Sequence, residues 1–362
     1  MLLIIKLILV LLALSAVVVL TASFWRRFYA FDPGYSQTHF VPNGDGWNIA
    51  LFRYLPETKL HETPIILCHG VAANRFTFDL GDEQSLARYL KAHGYEVWSV
   101  DMRGRGHSQP TGKKWNNKNK LYVIDDFIQR DAPAAISYIQ KESGSSQVFW
   151  VGHSMGGIIL YGLLQGERAK DIAAGIAIAA PGNFKHMSKL PLPTPLRQLI
   201  GVMPALHWRM LAATFAPVAP WMPASLRSVV CNPKNVEPIR VRRALCHLVS
   251  NISRGEMLQF FDCAKNRELR SFDGTYSYHH GFKDVTTPLL LMAGSHDFLC
   301  VPDCVVDVYH AIASEQKELI VLGKSYGQRE NYGHGDIVIG KHCQDEVFPH
   351  ILRWLDKRGA NP

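Results

Sequence analysis

Ser154 stands in Gly152-His153-Ser154-Met155-Gly156, a Gly-x-Ser-x-Gly spacing. Short, apolar, β-prone Val148 to Val151 precede it, and the apolar run Ile158 to Leu164 follows it. A serine on a sharp strand-to-helix turn needs neighbours without side chains two positions before and two after, and glycine supplies both. The turn lifts the hydroxyl clear at a helix N-terminus, where backbone N–H groups favour developing negative charge. A serine hydroxyl is a poor nucleophile at neutral pH. It needs a base, and the base needs an orienting carboxylate. At such an elbow the acid and then the histidine follow in the chain. Asp297, in Gly294-Ser295-His296-Asp297, comes after an apolar strand pattern, and His334, in Tyr332-Gly333-His334-Gly335-Asp336, comes after the next. The expected roles are Ser154 as nucleophile, His334 as general base and acid, and Asp297 as the residue that fixes the His334 tautomer. An oxyanion hole needs two N–H groups. Met155, just after the nucleophile, is expected to give one, and Val71, in the loop after His69-Gly70, the other.

The competing residues fit less well. Asp303 falls in a helix pattern after the Asp297 turn, and Asp336 is too close in sequence to His334. His69 reads as a loop-holding residue and His153 as one that packs inside the elbow. His107, His279, His280 and His296 read as surface or core histidines. No His, Cys or Asp cluster has metal-ligand spacing. Gly104-Arg105-Gly106 lacks the rest of a dinucleotide fingerprint. Neither a metal nor a cofactor is therefore expected.

Strands alternating with helices must position these residues. Thr38–Val41 and Trp47–Tyr54 flank the turn signal Pro42-Asn43-Gly44-Asp45-Gly46 and predict a hairpin. Apolar strands are predicted over Pro64–Cys68, Glu96–Val100, Gly175–Ala180, Leu289–Gly294 and Glu318–Leu322. Helices are predicted around Leu86, Tyr89 and Leu90, from Asp131 as N-cap with Ala132, Ile136 and Ile139 facing inward, and over Phe348–Trp354. The alternation argues for an α/β fold with a mostly parallel, doubly wound sheet and a site at the carboxyl ends of its strands. The pattern breaks from Pro181. Ten of the chain's 20 prolines lie between Pro181 and Pro238, mixed with Met187, Met203, Trp208, Met210, Phe215, Trp221 and Met222. This predicts an inserted, mostly helical cap at 184–283 between core segments 31–183 and 284–358. Such a cap covers the end of the sheet that carries Ser154, and its underside is expected to be apolar and to favour medium or longer acyl chains.

The 362 residues are 47% hydrophobic and 19% charged, with a formal net charge of +8. That is globular composition with ample length for a large core. The positive excess is spread along the chain without a nucleic-acid motif, which points away from nucleic acid and towards anionic membrane surfaces. The seven cysteines form no Cys-x-x-Cys pair and read as scattered thiols. Cys300 and Cys304 are spaced only for a local contact. From Leu7 to Trp25 no charged residue occurs, and Arg26 and Arg27 close the run. A stretch of roughly 18 or more such residues can span a bilayer. Residues 1–27 are thus expected to be a single-pass membrane anchor, with a cleaved signal peptide and a secreted product as the alternative.

The sequence resembles the α/β-hydrolase superfamily and, within it, the acid lipases of gastric and lysosomal type and their bacterial relatives. The residues that carry the likeness are His69-Gly70-Val71, Ser85-Leu86-Ala87 to Gly94-Tyr95-Glu96-Val97-Trp98, Asp131-Ala132-Pro133-Ala134-Ala135-Ile136, Val151-Gly152-His153-Ser154 and Gly333-His334-Gly335-Asp336-Ile337. The likeness runs from about Gly34 to Asn183 and again from about Pro288 to Trp354. It implies an α/β-hydrolase fold and a lipase or carboxylesterase acting on lipid or other hydrophobic esters. Met155 departs from the glutamine usual at that position. Two rival readings share these residues. An acyltransferase would use the same triad with an alcohol in place of water, and a binding module would keep the fold without the chemistry.

Overall fold

The computed structural model describes residues 2–82, 84–111, 121–186, 205–206 and 208–359. Met187 and Met203 of the proline-rich stretch lie outside them. Helix α1, Leu2–Phe28, comes first. The hairpin of β1 (Gln37–Pro42) and β2 (Trp47–Tyr54) follows, then β3 (Ile65–Cys68), helix α2 (Leu86–Ala92) and β4 (Val97–Asp101). After the two-residue β5 (Gln109–Pro110) come helix α3 (Ala132–Ser143), β6 (Val148–His153), helix α4 (Met155–Leu163) and β7 (Ile172–Ile178).

The sheet runs in the order β1-β2-β4-β3-β6-β7, then β10 (Leu289–Gly294) and β11 (Lys317–Leu322), with β5 paired to β2. Pairing is antiparallel at β1, β2 and β5 and parallel from β4 to β11. Two cores explain why the central strands are apolar throughout. Ile66 and Trp150 pack on one face with Ile136, Ile139 and Ile159, while Ile65, Leu67 and Val151 pack on the other with Leu86, Leu90, Ile351 and Trp354. A strand covered on both faces by helices cannot alternate with polar residues. The fold is that of an α/β-hydrolase, as the sequence predicts.

One boundary differs. The helix before β6 does not start at Asp131. It starts at Ile124 and passes through a π-helical turn, Phe127–Asp131, into α3. Pro133 lacks an N–H and disrupts an α-helix interior, and the π turn lies directly before it. Asp131 is no cap. Its carboxylate is buried and accepts hydrogen bonds from the Arg103 amide and guanidinium and from Asn43 Nδ2 at 2.7 Å.

Between β7 and β10 the described chain forms β8 (Ala205–Leu206), helix α5 (Trp208–Phe215), shorter helices at Ala224–Arg227 and Pro238–Arg243, β9 (Ile252–Ser253) and helix α6 (Arg254–Asn266). β8 and β9 pair with each other and stand apart from the main sheet. Helix α7, Pro302–Ala311, follows β10, and helix α8, Phe348–Gly359, closes the chain. Ile5–Phe28 of α1 is long and apolar enough to cross a membrane, with a mean hydropathy of 2.8. Its last turns pack on the segment after β7. Ala22 is buried with Ala213, Ala216 and Cys246, Thr214 Oγ1 donates to the Val18 carbonyl at 3.3 Å, and Arg26 donates to the Cys246 carbonyl.

Four of the large apolar residues of this segment, Trp208, Phe215, Trp221 and Met222, stand out. They are exposed, Trp221 to 75%, on elements at and after α5, the helix that packs on α1. The short helices there are too small to bury large side chains on more than one face, and α1 takes the small ones, Ala213 and Ala216.

Candidate active site

The elbow forms because two glycines let backbones meet. A Cβ at Gly152 would lie 2.2 Å from the Gly156 carbonyl oxygen, and one at Gly156 would lie 2.1 Å from that of Cys68. No larger residue fits either place, so the spacing in the sequence is a packing requirement. Ser154 adopts φ 54° and ψ −118°, a conformation that costs on the order of 1–3 kcal/mol for a residue with a side chain. The surroundings hold it there. Its N–H donates to the Ile178 carbonyl at 2.8 Å, and its carbonyl accepts from Gly157 and Ile158.

β10 and β11 end beside β6 and β7, and the loops after them carry the partners. The structure brings Ser154, His334 and Asp297 into one chain of hydrogen bonds. Ser154 Oγ lies 3.0 Å from His334 Nε2. His334 Nδ1 donates to Asp297 Oδ2 at 2.8 Å. The second oxygen, Oδ1, accepts from the amides of Leu299 at 2.8 Å and Cys300 at 2.7 Å. Asp297 is buried at 2% exposure, so its charge rests on those three donors. His334 is thereby oriented with Nδ1 protonated and Nε2 facing the serine.

Two amides remain. Met155 N–H begins α4, and Val71 N–H begins the loop after β3. Neither donates to another atom of the described residues. Gly70 lies against the serine, for a Cβ there would be 3.0 Å from Ser154 Cβ. Ala72 holds φ 55°, and its carbonyl accepts from Ser250 N at 2.7 Å. The loop is thus fastened from the segment after β7 as well as from β3.

The neighbouring histidines are structural. His69 Nε2 accepts from the Met102 amide at 3.2 Å, and its Nδ1 donates to the Gly70 carbonyl at 2.8 Å. His153 Nε2 donates to the His334 carbonyl at 2.8 Å, which fixes the histidine loop. Burial lowers His69 to about 4 and His153 to about 3, so both are neutral at pH 7.

Two features escaped sequence reasoning. Asp336 is a buried latch. Its Oδ1 accepts from Gly333 N at 3.0 Å and Asn232 N at 2.8 Å, and its Oδ2 accepts from Asn235 Nδ2 at 2.9 Å. Desolvation raises it to about 6. The other is Asp101 to Gly106, a knot of buried ion pairs. Asp101 pairs with Arg75 at 2.8 Å, Arg103 with Asp131 at 2.7 Å, and Arg105 with Glu256. The density of charge in Asp-x-Arg-x-Arg after a buried strand was the only available signal. Among the described residues no group of three or more His, Cys, Asp or Glu side chains is placed to hold a metal ion, and the seven cysteines are free thiols.

Comparison with known proteins agrees with this architecture. Human lysosomal acid lipase/cholesteryl ester hydrolase is 24% identical over 369 residues, covering 89% of this chain and 88% of its own. Lipase member K of Mus musculus is 23% identical over 364 residues, covering 90% and 89%. Among solved structures, a monoacylglycerol lipase from Paleococcus ferrophilus superposes with a TM-score of 0.57 at 17% identity, over 85% of this chain and 99% of that one. A bacterial membrane phospholipase A superposes with a TM-score of 0.57 at 19% identity, over all of both chains. At such identities these two likenesses establish the fold. The family Hydrolase_4, described as serine aminopeptidase, S33, matches residues 61–326. That match spans most of the chain, which therefore belongs to this family and is an α/β-hydrolase similar in sequence to the acid lipases.

Proposed function

We propose that the chain is a membrane-anchored serine hydrolase that cleaves carboxylic esters of lipids through an acyl-enzyme on Ser154. The observation that carries the reading is the hydrogen-bonded chain Ser154–His334–Asp297, at 3.0 and 2.8 Å, beside two uncommitted amides. His334 Nε2 takes the serine proton as Oγ attacks the ester carbonyl. Asp297 stabilises the imidazolium that forms and stays ionised. The Met155 and Val71 amides receive the developing oxyanion, which a preorganised pair of donors stabilises without reorganisation. His334 then protonates the leaving alcohol, and water repeats the sequence to release the acid.

The family description names an aminopeptidase, and such an enzyme must hold a free ammonium group. Asp297 and Asp336 each accept three hydrogen bonds from this chain, which commits both to holding the histidine loop. The curated relatives named above are lipases, which favours a lipid ester. The segment 184–283 acts as a cap in this reading, since Asn232, Asn235 and Ser250 grip the histidine and Val71 loops. Residues 1–27 act as the anchor, supported by the charge-free run and by α1 remaining packed on α5.

The test has two parts. A fluorophosphonate probe should label wild-type protein on Ser154 and leave Ser154→Ala unlabelled, and p-nitrophenyl esters should be hydrolysed without added metal. Modification elsewhere, or hydrolysis only of aminoacyl-p-nitroanilides, rejects the ester reading. For the anchor, full-length protein should sediment with membranes through a high-salt wash and keep its N-terminus. Recovery of a chain beginning near Ser23 rejects it.

A further inference from the structure

A second polar cavity lies away from Ser154, where α1, the core and the segment after β7 meet. It holds about 190 Å³ and contains none of Ser154, Asp297 or His334. A water takes up roughly 30 Å³, so several waters or one polyatomic ion fit. Arg26 reaches it from α1, Arg75 and His107 from the core, and Arg209, His247 and Ser250 from beyond β7. Among the described residues no carboxylate lines it. Three guanidiniums and two imidazoles therefore face one space.

Two of the donors here lack acceptors. Arg75 is 4% exposed. Its Nη1 is bound by Asp101 at 2.8 Å, and its guanidinium is stacked against Phe52 at 4.0 Å and Phe76 at 4.2 Å. Its Nε has no partner among the described residues, nor has Nε2 of His247. Burying a donor without an acceptor is costly, and more so for a charged one. Burial depresses His107 and His247, the latter to about 4, and the neighbouring arginines add to it. An anion in the cavity removes both penalties. Donors converging from three sides suit a tetrahedral group with several equivalent oxygens, to which arginine binds in a forked manner.

The cavity's level identifies the source. Arg26 ends the charge-free run of α1, so in a bilayer it stands at the headgroup layer. The exposed apolar residues Trp208, Leu211, Phe215 and Trp221 flank the same junction. We infer that the cavity binds the phosphate group of a membrane phospholipid, with Arg26, Arg75 and Arg209 as its ligands. The inference rests on the anchor reading for the source of the phosphate, whereas the cavity's affinity for phosphate does not.

The experiment uses the full-length protein in neutral detergent micelles. Inorganic phosphate is titrated while thermal unfolding is followed, since a ligand of the folded state raises Tm. Tm should rise saturably with phosphate and not with acetate. Arg209→Gln, an exposed position that leaves the fold intact, should raise the phosphate Kd roughly tenfold, the scale of one charge-assisted hydrogen bond. It should hydrolyse a dissolved ester at the wild-type rate. In a second arm, micelles receive a dialkyl ether phosphatidic acid, which has no ester to cleave, or the matching dialkyl glycerol. The phosphatidic acid should displace inorganic phosphate and the glycerol should not. No phosphate response, an equal response to acetate, or an unaltered Kd in Arg209→Gln overturns the site. A phosphate response without competition by phosphatidic acid overturns the lipid source. Because every arm is run in micelles, loss of the anchor reading by N-terminal processing leaves the titration readable.

Discussion

The elbow and the junction above it are held by different kinds of contact. Around Ser154 the contacts are local and backbone-made, with Gly152 against Gly156, Ser154 N–H on Ile178, and Asp297 on the amides two and three residues ahead. Between the core and the segment after β7 they are distant and charged. Arg105 meets Glu256, Arg240 meets Asp82, and Asp336 holds Asn232 and Asn235. The first kind constrains residue type at fixed short spacing. The second constrains only that two groups, a hundred or more residues apart, carry opposite charge or match as donor and acceptor. The candidate catalytic residues are therefore written into short motifs, whereas the segment after β7 is attached by pairs that no local pattern records.

The largest effects should come from the local side of this contrast. Ser154→Ala and His334→Ala should each lower kcat by several orders of magnitude while the melting curve stays near wild type. Asp297→Asn keeps the size of the group but offers the wrong hydrogen-bonding pattern to His334 Nδ1. A loss of roughly 10⁴ in kcat is expected by analogy with other triads. Steady-state kinetics on a dissolved ester, beside circular dichroism, measures this. Near-wild-type activity in Ser154→Ala would remove the nucleophile from the scheme.

This contrast also explains what was legible beforehand. The strands at Trp47–Tyr54 and Leu289–Gly294 match the structure residue for residue, the first because a turn signal marks where it begins and the second because burial on both faces demands an unbroken apolar run. Ser154, Asp297 and His334 stood out as candidates because each follows a strand at the carboxyl edge, and the structure places them in one hydrogen-bonded chain. The helix start at Ile124 was not readable. Asp131 and Pro133 form a cap-like signal, but the buried Arg103 claims the aspartate and the π turn accommodates the proline. The exposure of Trp208 was equally hidden, since α5 turns its small residue Ala213 towards Ala22 of α1.

Next in size should be the buried pair on the distant side. Arg105 and Glu256 are both fully buried, and the glutamate also caps α6 by accepting from Ser253 N at 2.8 Å. Removing one partner leaves a charge uncompensated, so Arg105→Met or Glu256→Gln should each cost about 3–5 kcal/mol. The double variant Arg105→Met, Glu256→Leu should recover much of that. Urea denaturation of the full double-mutant cycle measures it. Additive losses would mean that the two sides are not joined here.

A smaller effect should appear with pH. His69 and His153 are held near 4 and 3, below their ordinary 6.5, chiefly by burial. Their folded pKa values are depressed, so the unfolded chain binds more protons below 6.5, and stability falls as pH drops from 6.5 towards 4. Asp336 acts oppositely, because its folded value near 6 exceeds 3.8 and its protonation favours the folded state over the same window. Among these three groups the two histidines outweigh the one aspartate. His153→Gln should flatten the slope of Tm against pH, and Asp336→Asn should steepen it.

The smallest effect concerns the exposed apolar side chains at the junction. Phe215 and Trp221 are 51% and 75% exposed, and neither belongs to the catalytic constellation. If they lie in the headgroup layer beside α1, they act on access of lipid and not on chemistry. Phe215→Ser with Trp221→Ser should therefore leave kcat/KM for a dissolved short-chain ester unchanged. The rate on a long-chain ester dispersed in vesicles should fall a few-fold, since each aromatic removed forfeits roughly 1.5–3 kcal/mol of burial at most and the anchor still holds the protein in place. The comparison of the two substrates is the measurement. Equal losses on both would place these residues in the folding of the segment, whereas a loss confined to vesicles would show that the junction delivers substrate to a site it does not help to build.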